Sequence, residues 1–223
     1  LNSGQGSIRR DFNIYMNGTV NPLYGGNKGI DVEIDKNISK GDSANTKIIK
    51  FHNHSGTHID FPNHFYKDGK SSSEYPANFW VFESPFIYQI PKSESEIIVP
   101  NDIDINKIPL NTDFLIFDTG FYKLRDKEAF WKFNPGVHPD VAQFLRKNFP
   151  KLRILGMDFI SLTSFQNRIL GRKAHKSFLG KNNILLVEDI NLNNIKVQPK
   201  KIYCFPFLVE SVDGVPATII AEI

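Results

Sequence analysis

The chain has 223 residues, 40% of them hydrophobic and 23% charged, enough apolar material for one large domain or two small ones. The net charge of +3 is small and the lysines are scattered, which excludes the clustered basic stripe of a nucleic-acid binder and leaves only a hint toward anionic small molecules. No run approaches the ~18 apolar residues of a membrane helix, and the lone cysteine, Cys204 in an apolar run, rules out an internal disulfide.

Residues 1–12 are polar and glycine-rich and are expected to form a flexible leader, with a single domain over 13–223. Asn-Pro, Gly-Gly and Asn-Gly signals predict turns over 13–30. Alternation over 31–35 predicts a half-buried strand, and 47–51 predicts another. The stretch 79–90 is aromatic and β-branched and reads as strand, 97–99 as a short strand, and 102–108 as a turn or helix opening. Phe114-Leu115-Ile116-Phe117 is a continuous apolar run suited to a buried strand. Helical spacing of Val141, Ala142, Phe144 and Leu145 between Pro139 and Pro150 predicts a helix over 139–148. Strands follow at 153–158, 183–190, 201–209 and 215–223, the last two joined by a hairpin turn at Asp213-Gly214. Strands dominate, and the chain is expected to be one α/β domain.

The chemistry concentrates in His54-Ser55-Gly56-Thr57-His58-Ile59-Asp60-Phe61-Pro62-Asn63-His64, which holds three of the six histidines. Histidine and carboxylate are the ligands that zinc, manganese and iron accept. His54 and His58 have the spacing of a zinc-binding helix, but Gly56, β-branched Thr57 and Pro62 argue against a helix. A straight strand rises about 3.4 Å per residue, so 54 to 60 would span roughly 20 Å. Ligands bound at about 2 Å cannot converge from such a line. The chain must bend, and Gly56 is the residue suited to it. The expectation is a strand end running into a tight turn, with His54, His58 and Asp60 on the inside and His64 as a proton-transfer group beside them. His52 is left out as a packed or solvated histidine.

The string His54-x-Gly56-Thr57-His58-x-Asp60-x-Pro62-x-His64 resembles the signature of the cyclase family of metal-dependent hydrolases, which includes bacterial kynurenine formamidase and isatin hydrolase. The resemblance implies metal ligands at His54, His58 and Asp60 and acid–base catalysis at His64. Farther on, Pro135-Gly136 with the helix after it, Gly156-x-Asp158-x-x-Ser161, and His175 with Phe178-Leu179 are similar to family strings. They imply two more ligands, His175 and Glu188. An acidic residue closing a buried strand, as Glu188 does, also asks to be paired or bound. Asp158 reads equally as a partner orienting a ligand or as a turn cap. Three positions depart from the pattern: Asp118 stands where the family has Arg, Thr163 where it has Asp, and Phe178 where it has Leu. Near the N-terminus only Asn21-Pro22-Leu23-Tyr24-Gly25-Gly26 resembles a family string.

By resemblance the fold is a β/β/α arrangement with a mixed, partly barrel-like sheet and peripheral helices. It also implies a small-molecule substrate, a homo-oligomer and a cytoplasmic enzyme. Asp60 has two oxygens and can bridge an ion held with His54 and His58 to a second held with His175 and Glu188, zinc first and manganese second. The expected reaction is hydrolysis of an amide or ester, an N-formyl aryl amide being the first substrate to try, with Phe61, Phe65, Tyr66 and Trp80 as its aromatic wall. Two alternatives stand. His58, Asp60 and His175 match the facial triad of an Fe(II) oxygenase, which leaves His54 and Glu188 unused. The chain also fits a non-catalytic metal- or ligand-binding protein.

Overall fold

The apolar runs of the sequence become the middle of one mixed sheet. The computed structural model describes residues 9–11, 24–26, 29–193, 195 and 197–223; the turns expected over 13–23 and most of the leader lie outside these. The strands in chain order are β1 (Arg9–Asp11), β2 (Ile30–Lys36), β3 (Thr46–Phe51), β4 (His58–Asp60), β5 (Val81–Phe82), β6 (Pro85–Gln89), β7 (Ile97–Ile98), β8 (Phe114–Asp118), β9 (Gly136–Val137), β10 (Ile154–Met157), β11 (Leu185–Glu188), β12 (Lys201–Pro206) and β13 (Gly214–Glu222). The helices are α1 (Ala129–Lys132), α2 (Asp140–Asn148) and α3 (Arg168–Leu179). The main sheet runs β5-β12-β13-β4-β11-β10-β8-β6, with β1 paired to β13. Within this sheet β6, β8, β10 and β11 are parallel and the other pairings antiparallel, while β7 and β9 form a separate parallel pair, so the expected single α/β domain with a mixed, barrel-like sheet is the architecture observed.

The parallel block is buried on both faces. Phe114 to Phe117, Ile154, Leu155, Leu186 and Val187 are all fully buried, as near-continuous Val/Ile/Leu/Phe runs require. Helix α2 precedes β10 and α3 links β10 to β11, the crossover that parallel neighbours need. Helix α3 was not expected from the sequence. Its buried stripe is Gly171, Ala174, His175, Phe178 and Leu179, and a stripe containing glycine and histidine carries little hydrophobic signal.

Several expectations are corrected. Arg9–Asp11, assigned to the leader, forms a strand because β4 pairs with only Gly214–Pro216 of β13, leaving Ile220–Glu222 open on that side. The alternation at 31–35 does mark a strand, but the β2–β3 hairpin is exposed rather than half-buried: Ile34 is 64% and Ile49 56% accessible. The stretch 79–90 breaks into a 3-10 turn (Ala77–Trp80), β5 and β6, where the N–H groups of Glu83 and Ser84 turn to the Asp113 carboxylate. Strand β12 ends at Pro206, so its link to β13 is longer than a two-residue hairpin. No helix among the described residues is long and apolar enough to cross a membrane.

Asp158 follows β10 and ties it to the end of β8. Its Oδ1 accepts hydrogen bonds from the Thr119 N–H (3.1 Å) and hydroxyl (2.6 Å), while Oδ2 is buried with no partner. Of the two roles open to it, it anchors the turn after β8 and touches no histidine. Burial pushes its carboxyl up to about 6, against the Thr119 hydrogen bonds. A folded pKa above the unfolded value of about 3.9 means the folded state holds the proton more tightly. Stability from this group is therefore present at low pH and lost as pH rises from about 4 to about 6. Asp158→Asn should gain on the wild type across that window, by on the order of 2–3 kcal/mol, and keep a constant lead above it. Urea unfolding at several pH values checks this; parallel stability curves would contradict it.

Candidate metal centre

The bend expected at Gly56 is present: its φ is +61°, in the left-handed region that glycine enters without a Cβ clash. Beyond it, β4 points His58 and Asp60 to one side and Ile59, fully buried, into the core on the other. Register sets His58 opposite Glu188 of β11, so the two side chains emerge on one face. A 3-10 turn, Pro62–His64, then folds His64 back, with its N–H on the Phe61 carbonyl at 3.0 Å. The site thus lies toward the carboxyl ends of the parallel strands β10 and β11, where open α/β sheets hold ligands.

Helix α3 supplies His175 from above. Its Nδ1 lies 3.0 Å from the Gly171 carbonyl and 3.1 Å from the Thr163 hydroxyl, so that nitrogen carries the proton and Nε2 faces the carboxylates. Nε2 is 3.5 Å from Asp60 Oδ2 and 3.3 Å from Glu188 Oε1. His58 is set the same way: Nδ1 donates to the Gly56 carbonyl at 2.8 Å, and Nε2 lies 3.5 Å from Asp60 and 3.4 Å from Glu188. His54 Nδ1 is 2.8 Å from Asp60 Oδ1. Glu188 is held in turn by the Leu162 N–H at 2.7 Å. The next residue, Asp189, takes φ +58°, a strained value fixed by an ion pair with Arg125.

The six side chains expected at the site, His54, His58, Asp60, His64, His175 and Glu188, therefore converge. Their grouping differs from the expected one. Asp60 lies with His54 and His64 in one set and with His58 and Glu188 in the other, donor atoms within 4.8 Å of one another in each. His64, expected outside the ligand set, stands beside His54, and His58 stands with Glu188. Asp60 is common to both sets, as a bridging carboxylate would be.

The donor chemistry fits a divalent cation. Asp60 and Glu188 are 1% and 3% exposed, and no lysine or arginine among the described residues forms an ion pair with either. Burial pushes Asp60 up, but His54, His175 and His58 outweigh it and hold the carboxyl well below the usual range. Burial and Asp60 both push Glu188 up, and His175 and His58 still hold it down. Burial lowers the imidazoles, yet the carboxylates carry His54 and His175 up to about 10. Without a metal the two buried carboxylates are balanced by protonated imidazoles; a divalent cation on the same donor atoms would take the place of those protons.

Sequence reasoning missed Asp213. Read there as a turn residue, it accepts from His64 Nδ1 at 2.6 Å and lies 3.0 Å from His54 Nε2, and these two histidines hold its carboxyl well below the usual range against burial. No local spacing links it to residues 149 and 159 positions away. Thr163, a departure from the family pattern, sets the orientation of His175. Asp118 does not line the cavity; it accepts from the Gly120 N–H.

The centre floors a cavity of about 410 Å³ whose wall includes Tyr24, Phe65, Ile160, Arg168 and Arg172. Of the four expected aromatic wall residues, only Phe65 belongs, stacked on His175 at 4.9 Å. Phe61 lies on the core side of its strand with Trp80, ring centroids 6.1 Å apart, and both are buried there. Tyr66 points away, its hydroxyl on the Lys176 carbonyl at 2.8 Å.

The His54 ring lies flat against the backbone of Gly214. A Cβ there would meet His54 Cε1 at 2.3 Å. Gly214→Ala should leave the fold intact, displace His54 and weaken metal binding about tenfold or more. Metal content and thermal unfolding together check this; full metal retention would contradict it.

A family model described as a putative cyclase matches residues 8–163. The chain is 26% identical over 230 residues to cyclase-like protein 2 of Arabidopsis thaliana, covering 94% of this chain and 80% of that one. It is 25% identical over 195 residues to kynurenine formamidase of Geobacillus thermodenitrificans, covering 87% and 88%. Its fold matches isatin hydrolase A from Labrenzia aggregata with a TM-score of 0.77 at 17% identity, over 97% of this chain and 93% of that one.

Proposed function

We propose, since the chain belongs to the cyclase family, that it is a metal-dependent hydrolase cleaving an amide or ester bond of a small molecule, an N-formyl aryl amide first among candidates. The observation that carries this reading is the shared, buried carboxylate of Asp60 on the cavity floor. Similarity to a kynurenine formamidase supports the amide.

His54, His58, Asp60, His175 and Glu188 would hold a divalent ion, zinc or manganese in one or two copies, which would supply a Lewis acid for the carbonyl and acidify water at neutral pH. The protein's own part is orientation and proton transfer. His64 donates its Nδ1 proton to Asp213, which leaves Nε2 bare in the cavity. From there it takes a proton from the attacking water and delivers it to the leaving amine or alkoxide. Phe65, braced on His175, offers an apolar wall to an aryl group. The fully buried Cys204 thiol, with no disulfide, is compatible with a cytoplasmic setting.

We also propose that two copies associate through the β2–β3 hairpin. Its face of Ile30, Val32, Ile34, Ile49 and Phe51 is apolar apart from Lys47 opposite Ile34, and the other face carries the Glu33–Lys50 ion pair at 3.0 Å. A two-fold axis would set this apolar face against its own copy. Ile34→Lys with Ile49→Lys should give a folded monomer by light scattering; an unchanged mass would contradict this.

The test of activity is formate or acid release from formanilides, lactones and esters by protein loaded with zinc or manganese, without dependence on O₂. His64→Ala should keep its metal and lose about 10²-fold or more in rate. Absence of hydrolysis across the whole panel would overturn the reading.

A further inference from the structure

Helix α3 delivers His175, and the same helix stripe carries two arginines. Positions 168, 172 and 175 are spaced by four and three residues, so they share a face. At about 1.5 Å rise per residue, Arg172 stands roughly 4.5 Å and Arg168 roughly 10 Å up the axis from His175. Both line the cavity, with Tyr24 beside them. The Arg168 guanidinium lies 4.2 Å from the Phe165 ring centroid and 5.7 Å from that of Tyr24, and those two rings meet edge-to-face at 5.4 Å. This packing holds the guanidinium at the mouth.

No described carboxylate forms an ion pair with either arginine. Those in the cavity wall are engaged elsewhere: Asp60 and Glu188 with imidazoles, Asp189 with Arg125. The Tyr24 hydroxyl is shielded from solvent and its proton has no acceptor. Burial raises its pKa above the ordinary value, so it remains a neutral donor. The cavity therefore has an acidic, metal-seeking floor and, one to two helical turns above it, three donors with no carboxylate partner among the described residues, two of them cationic, the Arg168 guanidinium being turned to the Tyr24 oxygen.

We propose that the substrate is an anion: its scissile carbonyl sits at the floor and a carboxylate at its far end is bound by Arg172, Arg168 and the Tyr24 hydroxyl. This rests on the hydrolase reading and narrows it to acid-bearing amides or esters. Arginine is suited to this role because its planar fork pairs with both oxygens of a carboxylate. The +3 net charge of the chain favours the same ligands.

The test compares 4-formamidobenzoate with its neutral isostere 4-formamidobenzamide on zinc- or manganese-loaded protein, following formate release at low and high salt. The benzoate should be preferred about tenfold or more in kcat/KM, less so at high salt, and Arg172→Gln, alone and with Arg168→Gln, should bring the ratio close to one. Arg172→Lys should restore part of it. Equal kcat/KM for the two compounds, or a ratio that survives both substitutions, would overturn the proposal. Calorimetric binding of both compounds separates this from failure of the hydrolase reading. Tighter binding of the benzoate without turnover, lost in the variants, keeps the anion site and removes the reaction; no binding difference and no turnover removes both.

Discussion

The site depends on burying the Asp60 carboxylate among imidazoles. An isolated carboxylate in a dry interior costs several kcal/mol, and a second one, Glu188, lies on the neighbouring strand. The fold makes this tolerable by converging groups from separate segments on the pair: His54 before the Gly56 bend, His58 on β4, and His175 on α3. Each of the last two is fixed by a backbone carbonyl on its far nitrogen, which leaves the near nitrogen for the centre. Removing any one partner leaves charge unbalanced on the cavity floor.

The sheet explains why these segments meet. Strand β4 is inserted antiparallel between β13 and β11, so one face of three residues touches both the parallel block and the closing hairpin. Glu188 arrives by register, His175 by the crossover that β10 and β11 require, and Asp213 by the link into β13. The small residue at 214 lets His54 lie against that strand. Backbone strain at Asp189, next to Glu188, is a further mark of a site whose geometry is imposed by its surroundings.

Much of this was legible in the sequence, and the limits have physical causes. His54, His58, Asp60 and the Gly56 bend could be read because they are local: ligand length and strand rise together demand a turn. The parallel core could be read because strands buried on both faces are continuous apolar runs. Helix α3 could not, since the stripe it buries contains a glycine and the functional histidine. Asp213 could not, because its partners are remote in the chain and Asp-Gly is a common turn pair. Phe61 fails as a wall residue because the extended chain puts it on the face opposite Asp60, and Trp80 because it packs on Phe61 in the core. The β2–β3 alternation was correctly seen, but the pattern says only which face is apolar, and not what covers it.

The most direct test of the account is the metal stoichiometry of the wild type and of Asp60→Asn, measured by elemental analysis after equal exposure to zinc or manganese. The substitution is isosteric and removes only the charge common to both donor sets. The account predicts at least one tightly held ion per chain in the wild type and loss of it in a variant that remains folded. A wild type that takes up no ion, or a variant that holds as much as the wild type, would contradict it.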